Sequence, residues 1–153
     1  MLLLILGVGA GVVLARDAAP TAVRSQLGAV KNPIGGKGRT LGLSRVVIPP
    51  GTVIPSHFHE GTQVPYIQSG VLSYSVETGS VTVMKGLADQ NPTVVRKVKA
   101  GQTATIGPGQ WFVEQPSEHH HAVNNGSAKV VVLQATLLKN GAPAATPVSG
   151  RHR

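Results

Sequence analysis

No cysteine occurs anywhere in the chain. That absence excludes structural disulfides, thiolate metal sites, a cysteine nucleophile and a lipid anchor attached through cysteine. Aromatic residues make up only 3%, so Val, Ile and Leu must fill the core. Trp111, Phe112, Tyr66 and Tyr74 are too few and too dispersed for a base-stacking platform. Acidic residues are also scarce: six Asp and Glu against fourteen Lys and Arg give a net charge of +8. The cations are scattered except for Arg96, Lys97 and Lys99, which alternate with apolar residues like a solvated strand edge. The charge therefore implies solubility and attraction to anions, and no nucleic-acid partner is expected. No segment beyond the N-terminal run has a helical period, and no Ser-His-Asp order appears. Gly35-Gly36-Lys37-Gly38 is a weak glycine loop read without a preceding strand.

What is present begins with an uncharged apolar run over residues 1–15, ending in Val13-Leu14-Ala15 before Arg16-Asp17. It is short for a transmembrane helix and has small residues suited to signal-peptidase cleavage. The expectation is a signal peptide over residues 1–15, or to 19, and a secreted or periplasmic protein that meets a membrane only through this segment. The run has no Lys or Arg at its start, so an uncleaved anchor is the alternative.

The 153-residue chain has room for one domain with a sizeable core. Residues 16–40 read as a linker and a loop leading into the body. Candidate strands lie at 41–48, 53–58, 63–68, 71–76, 80–84, 93–98, 102–106, 110–114, 119–123 and 128–138. Nineteen Gly and eleven Pro supply the separators. Short strands with such separators predict an all-β antiparallel sandwich or barrel over residues 41–138. The tail, residues 139–153, reads as disordered.

The candidate chemistry lies in His57-Phe58-His59. On a strand the two histidines share a face, with Phe58 and Glu60 opposite, and Gln63 returns to the histidine face. Two imidazoles on one face can grip one ion, but a buried metal normally takes at least three protein ligands. A second cluster, His119-His120-His121, can supply the third. Parity leaves open whether His120 faces the core or His119 and His121 do. Glu114 and Glu118 read as solvated carboxylates, and Tyr66 and Trp111 as wall or core.

These residues resemble the cupin superfamily, small single-domain proteins of the cupin type-2 kind. The family's first motif is Gly, five residues, His-x-His, three or four residues, Glu, six residues, Gly; Gly51, His57, His59, position 63 and Gly70 meet that spacing. The second is Gly, five residues, Pro-x-Gly, two residues, His, three residues, Asn; Gly109, Gln115-Pro116-Ser117, His120 and Asn124 hold those places. The sequence departs at position 63, where Gln replaces Glu, and at Gln115 and Ser117, which replace Pro and Gly. The resemblance implies a jelly-roll β-barrel, or double-stranded β-helix. It also implies a divalent transition metal (Fe, Mn, Cu, Zn or Ni) on His57, His59 and His120, with Gln63 as a weak, neutral fourth ligand; His121 is the rival to His120.

The implied function is a metal site that binds or transforms a small, anionic molecule, by dioxygenase-like or isomerase-like chemistry if it is an enzyme. The alternative is a non-catalytic small-molecule-binding or sensing cupin, with or without a metal. A homodimer through edge strands is the family expectation.

Overall fold

A computed structural model describes residues 18–148. The signal-peptide expectation falls mostly on residues 1–17, outside the described residues. Twelve strands run in order: β1 (Val23–Lys31), β2 (Arg39–Ile48), β3 (Val53–Phe58), β4 (Gly61–Ser69), β5 (Leu72–Val76), β6 (Ser80–Lys85), β7 (Thr93–Lys99), β8 (Thr103–Ile106), β9 (Gln110–Trp111), β10 (His120–Val123), β11 (Val130–Lys139) and β12 (Thr146–Pro147). No helix occurs among the described residues.

The strands form two antiparallel sheets. One has the order β1-β2-β11-β4-β9-β6-β7 and the other β12-β3-β10-β5-β8. Apart from β1-β2 and β6-β7, paired strands are not consecutive in sequence, as in a jelly roll. Each sheet turns one face inward, and the period of two is visible in burial. In β5, Leu72, Tyr74 and Val76 are buried while Ser73 and Ser75 are not. The long sheet contributes Ile48, Ile67, Val81, Val83, Val98 and Val132 to the core; the short one adds Leu72, Val76, Ala104, Ile106 and Ala122. Phe112, only 1% exposed, packs on Tyr74 with ring centroids 4.7 Å apart. Burial of these branched side chains between the sheets is the main driving force.

The motif positions have structural reasons. Gly70 turns β4 into β5 at φ +75°, and a Cβ there would lie 2.5 Å from the Lys129 carbonyl oxygen. Only glycine meets both demands. Gly51 and Asn124, from opposite ends of the two motifs, lie side by side. The Gly51 N–H donates to the Asn124 carbonyl (2.9 Å), and the Asn124 N–H donates to the Thr52 carbonyl (3.0 Å). The buried Asn124 side chain donates to the Ile48 and Ala128 carbonyls and accepts from the Gly126 N–H. This pin sets β10 beside β3 in the register that places His120 opposite His57.

Two expectations at the ends of the body need correction. Residues 16–40 are not simply a linker, because β1 lies within them and pairs along β2 from Val23↔Val47 to Lys31↔Thr40. Every residue of β1 is exposed. The strand is held by ladder hydrogen bonds and buries no complete face, so its sequence carries no core stripe. Residues 139–148 are likewise ordered. Strand β11 continues to Lys139, β12 pairs with β3 at Thr146↔Phe58, and the Val148 N–H donates to the Ser56 carbonyl. Small, proline-containing sequence resembles a solvated tail, yet here it closes the open edge of β3. Residues 149–153 lie outside the described residues.

Candidate metal centre

A cavity of about 210 Å³ opens between the sheets. Much of its wall is apolar core: Val46, Ile48, Leu72, Phe112, Ala122 and Val132. Its polar groups are few: Arg24, His57, His59, Tyr74, Glu114, His120 and Gln134.

His57 comes from β3, His59 from the residue just past Phe58 at its end, and His120 from β10. One ligand-capable nitrogen from each lies within 4.8 Å of the others. The histidine triplet alternates as a strand must. His120 is 2% exposed and faces inward. His119 stacks on Phe58 with centroids 5.5 Å apart, and the His121 Nδ1 pairs with Glu77 at 2.7 Å. His120, rather than His121, therefore joins the pair. Phe58 points away from the site, and Glu60 meets Lys139 at 3.4 Å. Trp111 and Tyr66 are absent from the cavity wall; the Trp111 indole N–H donates to the Gly86 carbonyl at 2.8 Å.

The imidazole tautomers can be assigned from their partners. His57 Nδ1 lies 2.8 Å from the Pro55 carbonyl oxygen, and His59 Nδ1 lies 2.7 Å from that of Ala144. A carbonyl only accepts, so each Nδ1 carries hydrogen and each neutral ring turns an Nε2 lone pair inward. Backbone carbonyls of this kind orient metal-ligating histidines. The Ala144 contact also gives the ordered tail a function: it aims His59.

Burial keeps the rings neutral. It lowers the His59 pKa to about 4 and the His120 pKa to about 3, with repulsion from His57 adding to each. Burial also lowers that of His57. Neutral imidazole is the form that ligates a metal.

Glu114 departs from its expected solvated role. It is 4% exposed and lines the cavity. Its Oε1 accepts from the Tyr74 hydroxyl (3.1 Å) and lies 3.3 Å from His120 Nε2; its Oε2 lies 3.5 Å from His59 Nε2. Burial raises its pKa to about 7, partly offset by the Tyr74 hydrogen bond and by Arg24. One signal for it was available: parity puts Glu114 on the face of Phe112. Gln63, 0% exposed, has neither side-chain oxygen nor nitrogen hydrogen-bonded.

Two further polar groups were missed from sequence. Tyr74 shares the inward face of β5, and its ring stacks on His120 with centroids 5.2 Å apart. Arg24, on the unforeseen β1, donates through Nη2 to Gln134 Oε1 at 2.7 Å. No carboxylate among the described residues lies within ion-pair distance of Arg24.

Solved structures share this architecture. The polyketide cyclase RemF from Streptomyces resistomycificus superposes with a TM-score of 0.56 and 19% identity, covering 90% of this chain and 79% of its own. A cupin 2 domain-containing protein from Halorhodospira halophila gives 0.54 at 12% identity, over 88% and 75%. KdgF from Halomonas sp. gives 0.51 at 19%, over 79% and 84%. The chain has the cupin fold. No family model matches the chain, and no curated protein matches it in sequence. At these identities the likeness concerns the fold, and the reading of function rests on the site.

The site fits a metal on its own geometry. His59 Nε2 and Glu114 Oε2 face each other, and His120 Nε2 lies 3.2 Å from His59 Nε2. A ring lone pair opposite a carboxylate oxygen needs a cation or a proton between them. His57, His59 and His120 can hold a metal ion.

Proposed function

We propose that this cupin is a metal-dependent site for a small carboxylate or similar anion, exported by its N-terminal apolar segment. One observation carries the reading: three neutral imidazoles, two buried and one half-buried, converge at the wall of a largely apolar cavity that also presents a guanidinium. His57, His59 and His120 hold the ion, with Gln63 as a neutral donor beside them. A divalent transition metal (Fe, Mn, Cu, Zn or Ni) would supply Lewis-acid or oxygen-activating chemistry when bound. The chain's own residues perform the rest. Arg24, steadied by Gln134, attracts and orients the anionic end, while Val46, Ile54, Leu72 and Val132 enclose its apolar body and exclude water. Dioxygenase-like or isomerase-like turnover of an enolisable substrate suits such a cavity.

The deciding experiment is elemental analysis of untagged, natively purified mature protein, followed by oxygen uptake with candidate carboxylates. About one transition-metal ion per chain, lost in His57→Ala, is expected. A metal-free protein whose fold and ligand binding survive His57→Ala would overturn the metal reading. N-terminal sequencing of the exported form should begin near residue 16.

A second reading, a metal-free binding cupin, has one observation in its favour. With Glu114 protonated, the carboxyl and the two rings beside it can satisfy one another without an ion. Self-association belongs to either reading. Val30 of the edge strand β1 and Leu41 and Leu43 of the adjoining β2 stay 49%, 46% and 45% exposed, and sedimentation should show a homodimer.

A further inference from the structure

Cupin spacing puts a carboxylate at position 63, and this chain has an amide there. The three imidazoles are nevertheless not without a carboxylate. Glu114 and Gln63 are directly opposite across an antiparallel bridge, each N–H donating to the other's carbonyl at 3.0 Å. Paired residues of this kind send their side chains to the same face from Cα atoms about 5.5 Å apart. A glutamate on the neighbouring strand can thus reach the volume that one at position 63 would fill. We propose that Glu114 is the negatively charged ligand of the metal centre, displaced across the strand pair from position 63. The proposal rests on the metal reading above.

Three observations support it. First, the spacing is right. His59 Nε2 to His120 Nε2, His120 Nε2 to Glu114 Oε1 and His59 Nε2 to Glu114 Oε2 measure 3.2, 3.3 and 3.5 Å. Donor atoms that share one ion at bonds of about 2.0–2.2 Å stand at such separations. Second, the hydrogen-bonding chemistry is unfinished without an ion. The His59 Nε2 lone pair faces Glu114 Oε2, and that oxygen, buried, has no hydrogen-bond partner in the protein. Third, the carboxylate is supported as a ligand is. Tyr74 donates its hydroxyl to Oε1, and outer partners of this kind orient ligating groups. Glu114 also lines the cavity, whereas Gln63 does not.

The chemical consequence concerns charge. A divalent ion on three neutral imidazoles and Gln63 alone would leave the site near +2. Glu114 reduces this to about +1, which holds the metal more firmly and still leaves Arg24 to attract an anion.

Calorimetric titration of the metal-stripped full chain with Zn²⁺ tests the proposal, with Co²⁺ absorption as a second readout. Glu114→Gln should weaken binding at least tenfold, because losing a ligand costs no less than losing an outer partner. Its metal-free melting temperature should stay level or rise, since a buried acid has been replaced by an isosteric amide. A merely structural glutamate predicts the reverse: a lower melting temperature and unchanged affinity. The exchange variant Gln63→Glu/Glu114→Gln, which keeps one carboxylate in the pair, should bind within about threefold of the parent chain. Affinity unchanged in Glu114→Gln but lost in His57→Ala would overturn the assignment of Glu114 and leave the histidine centre standing. Affinity unchanged in both would overturn the centre itself. Should Glu114→Gln not fold, the exchange variant decides, and its failure to bind Zn²⁺ overturns the proposal.

Discussion

Gln63 and Glu114 face each other across β4 and the strand segment after β9, joined by two backbone hydrogen bonds of 3.0 Å and both fully enclosed. One is neutral and the other acidic, and which position carries the acid sets the charge beside His59 and His120.

Gln63→Glu places a second carboxylate in that pair. In the metal-free protein the two acids oppose each other in a buried setting, so stability should fall by about 1–3 kcal/mol. With a divalent ion present the same change should tighten binding and widen the metal-induced rise in melting temperature. Zn²⁺ titration beside thermal melts checks both halves. Equal or weaker affinity would remove position 63 from the coordination sphere.

The pH dependence of the metal-free protein follows from opposing shifts. His59 and His120 titrate near 4 and 3 when folded against an ordinary value of 6.5. Their contribution is present above pH 6.5 and is lost as pH falls toward those values. Glu114 is shifted the other way, from 4.5 to about 7, so its contribution is present below pH 4.5 and is lost as pH rises through about 7. Between 4.5 and 6.5 the two histidines outweigh the one acid by about one proton. Stability should therefore climb with pH at roughly 1.4 kcal/mol per unit, level off near 7, and fall more steeply below 4.5. Urea denaturation across this range measures it. A flat or descending profile from 4.5 to 6.5 would contradict the buried-histidine assignment.

Substitution of Arg24 should separate anion binding from metal binding. Arg24→Gln should leave Zn²⁺ affinity within about threefold, and should weaken binding of a small carboxylate to the loaded protein about tenfold, the worth of one charged hydrogen bond. Competition by acetate or pyruvate, followed through the Co²⁺ spectrum, reads it out. Equal carboxylate affinity in both proteins would place the anion elsewhere.

Ser117 stands where the second motif carries glycine, yet its φ is +67°. The left-handed backbone of the motif has been kept while its residue has changed. Ser117→Gly should stabilise the fold by about 1 kcal/mol, since a side chain in that region costs roughly 1–2 kcal/mol, partly offset by glycine's freer unfolded chain. Metal affinity should not move. A loss of stability would mean that the serine hydroxyl contributes more than the strain costs.

Strand parity and turn spacing are local properties, and they made the central fold legible. His57 and His59 sharing a face, the run of strands over residues 41–138 and the turn glycines at 51 and 70 all follow from a period of two and from backbone sterics. Strand β1 was not legible in the same way, because a strand exposed along its length has no buried stripe to betray it. Strand β12 was hidden for a related reason: two residues in a small, proline-containing segment carry no pattern, though the Ala144 carbonyl before them aims His59.

By itself, then, the sequence determined the class of fold and the shared face of His57 and His59, since alternation and turn chemistry act over a few residues. Only the tertiary structure decided what stands beside those donors. It turned His120 inward, brought Arg24 to the cavity wall and set Glu114 against His59 and His120. The register between distant strands controls these meetings, and no local period encodes that register.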